Sequence, residues 1–382
     1  MANRPMRVLH VVGAMGQGGI ESWLVRLYRR MDPSEFHFDF CTCWPMPGVY
    51  DEEVKSLGGR VIPCGIWDNP LTFLWRLRRI LRMGHYDVVH SHVYTLSGFV
   101  MRAAKGEGVP VRITHSHSTH DGKPPSLART AYRSWMKDWI RRYANYGLGA
   151  SREAMAALFG RGWQSGSRFC VLHCGIDLSP FRQDVSAQEV RKELGIPSDA
   201  LVVGHVGRFT PAKNQAFILE IAVEAAKLRS GVRFLLVGDG PTKARVVALS
   251  RQLGVEDQFI FTGARSDVPR LLLGAFDILV LPSRWEGLGL AVIEAQAAGL
   301  RSVVSFAVPP EVAVLPDAVT FVRLNAGAGN WANAVLETAS RGRLRRDSAL
   351  QSIAASDFNI ERSAAELVRL YATANGSRGD HG

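Results

Sequence analysis

Length, composition and charge limit the kind of protein that this chain can be. It has 382 residues, more than one ordinary hydrophobic core organises, so two domains are expected. Its 47% hydrophobic and 21% charged residues are typical of a globular protein and exclude a largely disordered chain. The net charge of +11 indicates polyanionic partners, which would be nucleic acid, anionic lipid or phosphorylated substrates.

The cysteines and the apolar segments indicate a cytoplasmic protein with reduced thiols. The five cysteines are an odd number, and none of them form a Cys-x-x-Cys pair. Cys170 and Cys174 flank His173 without a second ligand pair nearby, so we expect buried thiols there rather than a metal. The apolar segment at residues 7–13 is too short for the core of a signal peptide, and no run of about eighteen apolar residues predicts a spanning helix.

The first half of the chain predicts strands that alternate with helices. A strand at residues 6–13 leads into a glycine-rich loop and then a helix, which is how nucleotide-binding folds begin. Gly18 and Gly19 in this loop would let the backbone approach a phosphate or a sugar closely. Further strands are expected at residues 37–43, 61–64, 87–92, 111–114, 146–150 and 168–172.

A histidine-rich segment follows the strand expected at residues 111–114. Doubly wound folds bind ligands at the carboxyl ends of their strands, so a histidine there can hydrogen-bond a polar ligand. We expect His115 and His117 to point to opposite sides of the segment, which argues against a zinc site. The alternative is that these are solvated loop histidines.

Two segments predict basic helices. The segment at residues 73–83 is interpreted as a surface helix on a sheet. The segment at residues 131–143 carries Trp135 and Trp139 beside basic residues, which fits either a membrane surface or a helix that packs its tryptophans into the core. No RNA-binding or helix-turn-helix fingerprint accompanies the charge, so nucleic acid is not expected as a partner.

The second half predicts another α/β domain. Residues 177–199 contain two prolines and lack apolar periodicity, so we interpret them as a linker. Repeated strand–helix units then predict a parallel sheet. Its strands are expected at residues 201–206, 232–238, 259–263, 275–281 and 301–305.

Charged residues stand where two of these strands lead into helices. Arg208 and Lys213 lie at one junction and together could neutralise a diphosphate. At another, Glu286 and Glu294 flank a glycine turn whose helix start offers backbone N–H groups to phosphate. Carboxylates beside an anion site suit a nucleotide-sugar, because they accept from sugar and ribose hydroxyls. The alternative is an ordinary strand–helix joint with solvated charges.

In order and spacing, these motifs resemble the retaining glycosyltransferases of family 4, of the exopolysaccharide or capsule type. The motifs are GGIE at residues 18–21, HCGID at 173–177, GR at 207–208 with Lys213, GDGP at 238–241 and PSRWEGLGLAVIE at 282–294. The family often has asparagine where Cys174 stands, so any role of that amide is lost here.

The resemblance implies the α/β GT-B fold, in which two Rossmann-like, doubly wound domains face each other across a cleft. Residues 1–178 would bind the acceptor, and residues 179–356 would bind the nucleotide-sugar. A helix at about residues 357–375 would pack back on the first domain, and residues 376–382 would form a loose tail.

The resemblance also implies the catalytic residues. Arg208 and Lys213 would hold the donor diphosphate and stabilise it as it leaves, and Glu286 would contact hydroxyls of the transferred sugar. A histidine would hydrogen-bond the same sugar, and we favour His117 narrowly over His115.

Other residues would bind the substrate by the same resemblance. Backbone amides from the glycine turn would meet the phosphates, Glu294 would accept from the ribose, and the segment around Arg265 would meet the base through its backbone. Gly19 would let the first loop close over the reacting centre. The substrate-binding residues are therefore Gly18, Gly19, His115, Arg265, Gly287, Leu288, Gly289, Leu290 and Glu294.

The resemblance implies transfer of a sugar from a nucleotide-sugar to a glycan or lipid-linked acceptor. We expect this donor to be a UDP-sugar. We expect no cofactor and no metal, because the chain has no Asp-x-Asp motif and its cations can serve the diphosphate. The protein would be cytoplasmic, either free or peripheral on the inner, anionic face of the membrane. The alternatives are a nucleotide-sugar 2-epimerase of the same layout and a nucleotide-sugar-binding protein without turnover.

Overall fold

The computed structural model describes residues 4–16, 18–44, 46–65 and 69–376, and it divides the chain into two compact units. Unit 1 comprises Met1–Gly175 and Ile360–Gly382, and unit 2 comprises Ile176–Asn359. The sequence placed these boundaries near residues 178 and 356. Except for Gly376, the loose tail expected at residues 376–382 lies outside the described residues.

Unit 1 contains a parallel sheet whose strands follow the order β3-β2-β1-β4-β5-β6-β7 within the described residues. Each of its strands lies within a residue or two of a segment expected from the sequence. The strands are β1 (Met6–Val12), β2 (Phe36–Thr42), β3 (Val61–Pro63), β4 (Val88–Ser91), β5 (Val111–Ser116), β6 (Tyr146–Gly149) and β7 (Phe169–Val171).

Helices cover the sheet of unit 1, and serine side chains cap some of them. The Ser126 and Ser151 hydroxyls accept hydrogen bonds from the Arg129 and Ala154 amides. The helices are α1 (Gly19–Tyr28), α2 (Asp51–Ser56), α3 (Pro70–Gly84), α4 (Ser97–Gly106), α5 (Leu127–Tyr143), α6 (Arg152–Phe159) and, from the end of the chain, α14 (Ile360–Gly376).

The carboxy-terminal helix α14 is part of the core of unit 1. Its Tyr371 is fully buried, and the Tyr371 hydroxyl lies 2.8 Å from Nδ1 of His90 on β4. The Tyr371 ring also contacts Phe36 and Phe38 of β2. Arg30 pairs with Glu361 at the start of α14.

Unit 2 contains a second parallel sheet, with the strand order β10-β9-β8-β11-β12-β13 among the described residues. The last strand was not expected from the sequence. The strands are β8 (Leu201–Val206), β9 (Val232–Val237), β10 (Phe259–Gly263), β11 (Ile278–Leu281), β12 (Arg301–Ser305) and β13 (Val319–Val322). The helices are α7 (Ala187–Glu193), α8 (Gln215–Leu228), α9 (Lys243–Gln252), α10 (Val268–Gly274), α11 (Leu290–Ala297), α12 (Ala328–Ser340) and α13 (Arg346–Ala354).

The expectation that residues 177–199 are a linker is wrong. They contain α7, which packs on α10 through Val190, a side chain that is 1% exposed. A Cβ atom added to Gly274 would lie 2.7 Å from Val190, so the glycine permits this contact. Arg191 also pairs with Asp277 at 2.8 Å, so the segment is integral to unit 2.

Both sheets reverse their strand order at one point. In unit 1 the reversal lies between β1 and β4, and in unit 2 it lies between β8 and β11. Ligands of open parallel sheets bind beside the carboxyl ends of strands at such a point. Among the described residues, none of the helices combines the length and apolar character that crossing a membrane requires.

Candidate functional site

The candidate site of unit 2 is centred on an ion pair between the loops that follow β8 and β11. Nζ of Lys213 lies 2.5 Å from Oε1 of Glu286, and the Ser283 hydroxyl donates to the same oxygen at 2.7 Å. Glu286 is only 8% exposed. The sequence predicted a role for Lys213 and Glu286 but none for Ser283, whose signal is its place three residues before the carboxylate.

Further hydrogen bonds hold these two loops together independently of the ion pair. Asn214, with a φ of +57°, donates from Nδ2 to the Pro282 carbonyl at 3.2 Å. The Arg284 amide donates to the Ala212 carbonyl at 2.7 Å, and Nε of Arg284 donates to Oδ1 of Asn214 at 3.2 Å. The distance between Lys213 and Glu286 is therefore set by the backbone and not by the two charges alone.

A third loop, at residues 238–241, packs against the loop after β8 through two glycines. Gly238 and Gly240 have φ values of +140° and +153°. A Cβ atom on Gly238 would lie 2.1 Å from the Gly207 carbonyl oxygen, so a larger residue would separate the loops. The Phe209 amide donates to the Asp239 carbonyl at 2.9 Å, which completes the contact.

Helix α11 begins at Leu290, four residues after Glu286. Gly289 caps it with a left-handed φ of +97°, and within the described residues this cap makes no side-chain hydrogen bond to the helix. Backbone N–H groups at a helix start attract anions. Gly287 and Leu288 are buried, Leu290 is the first residue of α11, and Glu294 is half-buried one turn further along.

The two arginines of the predicted site lie in different environments. Arg208 is exposed on the loop after β8. The Arg265 guanidinium makes two hydrogen bonds of 2.7 Å to Asp267 and one of 3.3 Å to Glu193. The hydrogen bonds that Arg265 donates to Asp267 raise the pKa of Arg265. Its side chain is therefore engaged, which leaves its backbone as the part that a ligand could meet.

In unit 1 the glycine loop leads directly into α1. Gly18 caps the helix, and Gly19 is its exposed first residue. A Cβ atom on Gly18 would lie 2.1 Å from Oε2 of Glu21, so the side chain of Glu21 folds back over the space that a larger residue would need.

The expectation that His115 and His117 point to opposite sides is wrong. Their ring centroids are 3.9 Å apart. Alternate residues of an extended segment share a face, so both rings lie on one side. His115 is fully buried at the end of β5, whereas His117 is half-buried just beyond it.

Three histidines that the sequence analysis did not single out join this pair. Nδ1 of His10 lies 3.1 Å from Nε2 of His92, and Nδ1 of His92 lies 2.9 Å from Nε2 of His117. The His90 and His92 centroids are 4.3 Å apart. A signal was present, because the tripeptide His-Ser-His occurs both at residues 90–92 and at residues 115–117, on neighbouring strands. We call His10, His90, His92, His115 and His117 the histidine cluster.

Burial keeps the histidine cluster neutral. It lowers the pKa of His10 and of His117 to about 3. Burial, and then the neighbouring rings, lower the pKa values of His90, His92 and His115 well below the usual histidine value. In two subsets, one ring nitrogen from each histidine lies within 4.8 Å of the others: His10 with His90 and His92, and His92 with His115 and His117.

The sequence left two alternatives for the tryptophans of α5, which were packing into the core and facing a membrane surface. The two side chains differ in their exposure. Trp139 is 8% exposed and packs in the core, with the Arg102 guanidinium 4.2 Å from its ring centroid. Trp135 is 54% exposed. On α3, Trp75 is 60% exposed with Arg79 near its ring. Helices α3 and α5 therefore each carry one exposed tryptophan, Trp75 and Trp135 respectively.

Family comparisons match both units. Residues 18–175 match the family described as glycosyl transferase 4-like domain, and residues 186–344 match the family described as glycosyl transferases group 1. The chain is 33% identical over 377 residues to EpsF of Bacillus subtilis, which is named as a glycosyltransferase, and 97% of each chain is covered.

Two further comparisons involve a relative of defined substrate and a solved structure. The chain is 28% identical over 237 residues, 60% of each chain, to the UDP-Gal:alpha-D-GlcNAc-diphosphoundecaprenol alpha-1,3-galactosyltransferase of Escherichia coli. The crystal structure of HepE from Anabaena, in complex with UDP and glucose, aligns with a TM-score of 0.79 at 17% identity. It covers 96% of this chain and 100% of HepE. The α/β fold class expected from the sequence, with two Rossmann-like domains of GT-B type, is confirmed.

Proposed function

This chain belongs to the group 1 glycosyltransferases, and from that premise we propose that it transfers a sugar from a UDP-sugar to a glycan or lipid-linked acceptor, with retention of configuration. The observation that carries the proposal is the Lys213–Glu286–Ser283 cluster beside the start of α11. A cation, a buried carboxylate and the backbone amides of a helix start match a phosphorylated sugar better than either a bare anion or a neutral sugar.

The choice of donor and acceptor is supported by two of the similar proteins. HepE was crystallised with UDP and glucose, and the Escherichia coli relative is named for a UDP-Gal donor and a diphosphoundecaprenol-linked acceptor. The net charge of +11 suits both a diphosphate and an acceptor that carries one. We propose a lipid-linked acceptor of this chemical class, bound by unit 1, for a role in cell-surface polysaccharide or glycolipid synthesis.

The proposed chemistry follows from where charge develops. The bond between the anomeric carbon and the diphosphate oxygen breaks, and negative charge grows on the diphosphate. Lys213, Arg208 and the first amides of α11 would stabilise that charge in place of a metal ion. Glu286 would accept from hydroxyls of the sugar, and Ser283 would keep its carboxylate in position.

Retention would result from attack on the same face that the diphosphate leaves. The acceptor oxygen bonds to the anomeric carbon, and its proton passes to the departing diphosphate oxygen. A double displacement would instead need a carboxylate nucleophile beneath the anomeric carbon. We assign Glu286 to hydroxyl binding, because its Oε1 already accepts from both Lys213 and Ser283.

Of the two histidines that the sequence left open, we propose His117 for the contact with the donor sugar. It is half-buried, whereas His115 is fully enclosed. Burial lowers the pKa of His117 to about 3, so at pH 7 its ring is neutral, and a hydrogen bond to a sugar hydroxyl would replace one of its ring contacts with His92 and Cys174.

We also propose that unit 1 binds the anionic inner face of the membrane peripherally. The support is the pair of exposed tryptophans, Trp75 and Trp135, on basic helices that both contact α4. Several nearby arginines are already paired, for example Arg78 with Glu107 and Arg133 with Asp121, so the tryptophans would contribute most. Sedimentation with anionic vesicles at low salt should recover the protein, and a Trp75→Ser, Trp135→Ser variant that sediments equally would contradict this.

The experiment that tests the function is a donor screen with the purified protein. UDP-, GDP- and ADP-sugars are offered with EDTA present, and release of the nucleoside diphosphate is followed with and without a lipid extract. We expect release from a UDP-sugar that requires the extract and survives EDTA. A matched pair of variants, Lys213→Ala at the site and Lys227→Ala on the exposed face of α8, separates a local effect from a general loss of charge.

Two outcomes would replace the proposal. A changed sugar that remains attached to its nucleotide would indicate an epimerase. Binding of the donor without turnover under all conditions would indicate a nucleotide-sugar-binding protein.

A further inference from the structure

The histidine cluster contains more unpaired nitrogen than a buried hydrogen-bond network normally leaves. Within the described residues, Nε2 of His10, Nε2 of His90 and both ring nitrogens of His115 are buried without a hydrogen bond of normal geometry. A buried polar atom without a hydrogen-bond partner is destabilising. The cluster therefore carries an unfavourable energy that a suitable ligand could relieve.

We propose that His92, His115 and His117 bind a divalent transition-metal ion, of the class that neutral imidazole prefers. One ring nitrogen from each of these residues lies within 4.8 Å of the other two. In a tetrahedral site with metal–nitrogen bonds of 2.0–2.1 Å, ligand nitrogens lie about 3.4 Å apart. Movements of roughly 1 Å would therefore be enough to close the three rings around an ion.

We call His92, His115 and His117 the triad, and the atoms around it are placed as a metal site requires. Nδ1 of His92 and Nε2 of His117 face each other at 2.9 Å, so they are the nitrogens turned to the ion. The outer nitrogens of both rings have partners: Nε2 of His92 contacts Nδ1 of His10 at 3.1 Å, and Nδ1 of His117 contacts Sγ of Cys174 at 3.6 Å. Such contacts fix the orientation of ligating imidazoles.

The environment of the triad fits a site with an open coordination position. Three histidine ligands leave one tetrahedral position for water or another ligand. His117 is half-buried while His92 and His115 are enclosed, so the opening lies on the side of His117. The ring of Trp23 stands edge-on to His115, with centroids 5.4 Å apart, and it also lies near the rings of His92 and His117.

This proposal departs from the expectation that the chain has no metal site. The separate argument against a zinc site rested on His115 and His117 pointing apart, and their rings instead lie side by side. The site lies in unit 1, whereas the proposed diphosphate contacts belong to unit 2. His117 is shared with the proposed sugar contact, so an ion bound to its Nε2 would exclude that contact; metal binding itself can be measured without donor or acceptor.

The test uses the full-length protein, treated with a chelator and then titrated with CoCl₂. Tetrahedral Co²⁺ absorbs visible light strongly, so the spectrum reports both the stoichiometry and the geometry. We expect one equivalent to bind with a tetrahedral spectrum and ZnCl₂ to displace it. His115→Phe keeps the ring shape and should weaken binding more than about 100-fold, because even changes to second-shell groups cost 10–100-fold.

Three further variants make the result decisive. His117→Gln should weaken binding as His115→Phe does, which guards against misfolding of either protein. His85→Asn, at an exposed turn with a φ of +46°, is the matched control and should bind as the unaltered protein does. Absence of Co²⁺ uptake by the unaltered chain would overturn the proposal. The proposal would also be overturned if His90→Phe abolished Co²⁺ uptake while His115→Phe left it intact. The ion would then be bound by His10, His90 and His92.

Discussion

Nζ of Lys213 and Oε1 of Glu286 lie 2.5 Å apart although 73 positions separate them in the chain. They bring together the loops that follow β8 and β11, the two strands between which the sheet of unit 2 reverses its order. Lys213 is 22% exposed and Glu286 is 9% exposed by side chain, so water weakens their attraction less than at an open surface.

Replacing Glu286 should reduce transfer much more than stability. In Glu286→Gln the amide keeps the shape, but it loses the charge that holds Lys213 and accepts from sugar hydroxyls. We expect kcat/KM for the UDP-sugar to fall roughly 100-fold, as for loss of one preorganised group at a reacting centre. Glu224→Gln, on the exposed face of α8, is the control. An equal loss in both variants would contradict the assignment.

Lys213 and Glu286 should act as a unit. Once Lys213→Ala has removed the cation, adding Glu286→Gln should lower kcat/KM by much less than it does alone, because the two residues share one contact. The four proteins form a double-mutant cycle, measured under the same donor concentrations. Strictly additive losses would show that the two side chains serve the donor independently.

Gly238 should be intolerant of any side chain. Its φ of +140° and the 2.1 Å that would separate a new Cβ from the Gly207 carbonyl oxygen both exclude alanine without a shift of the loops. We expect Gly238→Ala to weaken UDP binding at least tenfold and to lower the melting temperature. Gly231→Ala, at a positive φ but with open space around it, should lower the melting temperature without changing UDP binding.

The contact between Tyr371 and His90 should make a measurable contribution to stability. Tyr371→Phe leaves Nδ1 of His90 buried without its hydroxyl partner, which should cost about 1–2 kcal/mol of unfolding free energy. Urea unfolding followed by circular dichroism measures this. The half-buried Tyr146, replaced by Phe, is the comparison, and an equal effect of both changes would show that the hydroxyl of Tyr371 is not special.

Asp39 should make unit 1 sensitive to acid. Burial raises the pKa of Asp39, but hydrogen bonds from Arg60 and Tyr86 outweigh it and lower the value to about 2. Because the folded pKa lies below the unfolded value of about 3.9, the stabilisation is present above that pH and is lost as the pH falls toward 2. Asp39→Asn should therefore be less stable at pH 7, by about 2 kcal/mol, with a difference that shrinks between pH 4 and pH 2. A difference that stays constant with pH would contradict this origin.

The sequence was sufficient for features that repeat locally, and insufficient for those that depend on distant neighbours. Parallel strands buried on both faces are continuous apolar runs, so the strands of unit 1 could be located within a residue or two. Helix α7 was missed because a single buried residue, Val190, anchors it, which leaves no apolar period to detect. Roles for Lys213 and Glu286 could be predicted from their motifs, but their contact with each other could not. The hydrogen bond between Asn214 and Pro282 requires a left-handed residue that no sequence pattern here predicts.

The histidine cluster was only partly predictable for a similar reason. Its members come from β1, β4 and β5 and the segment after β5, and they meet because the sheet places β4 between the other two strands. The repeated His-Ser-His tripeptide was visible in the sequence, but the neighbour relation of the strands was not. His10, in the middle of an apolar strand, could not be connected to the others without it.

The return of α14 to unit 1 has a consequence for synthesis on the ribosome. Unit 2 is contiguous in the chain, so all of it is translated before α14 is. Unit 1 must meanwhile wait for α14, with Phe36, Phe38 and His90 lacking the aromatic side chain that later covers them. The nascent chain therefore leaves unit 1 incomplete until α14 follows unit 2, and a stop codon directly after unit 2 would release a chain in which the unit made first is the defective one.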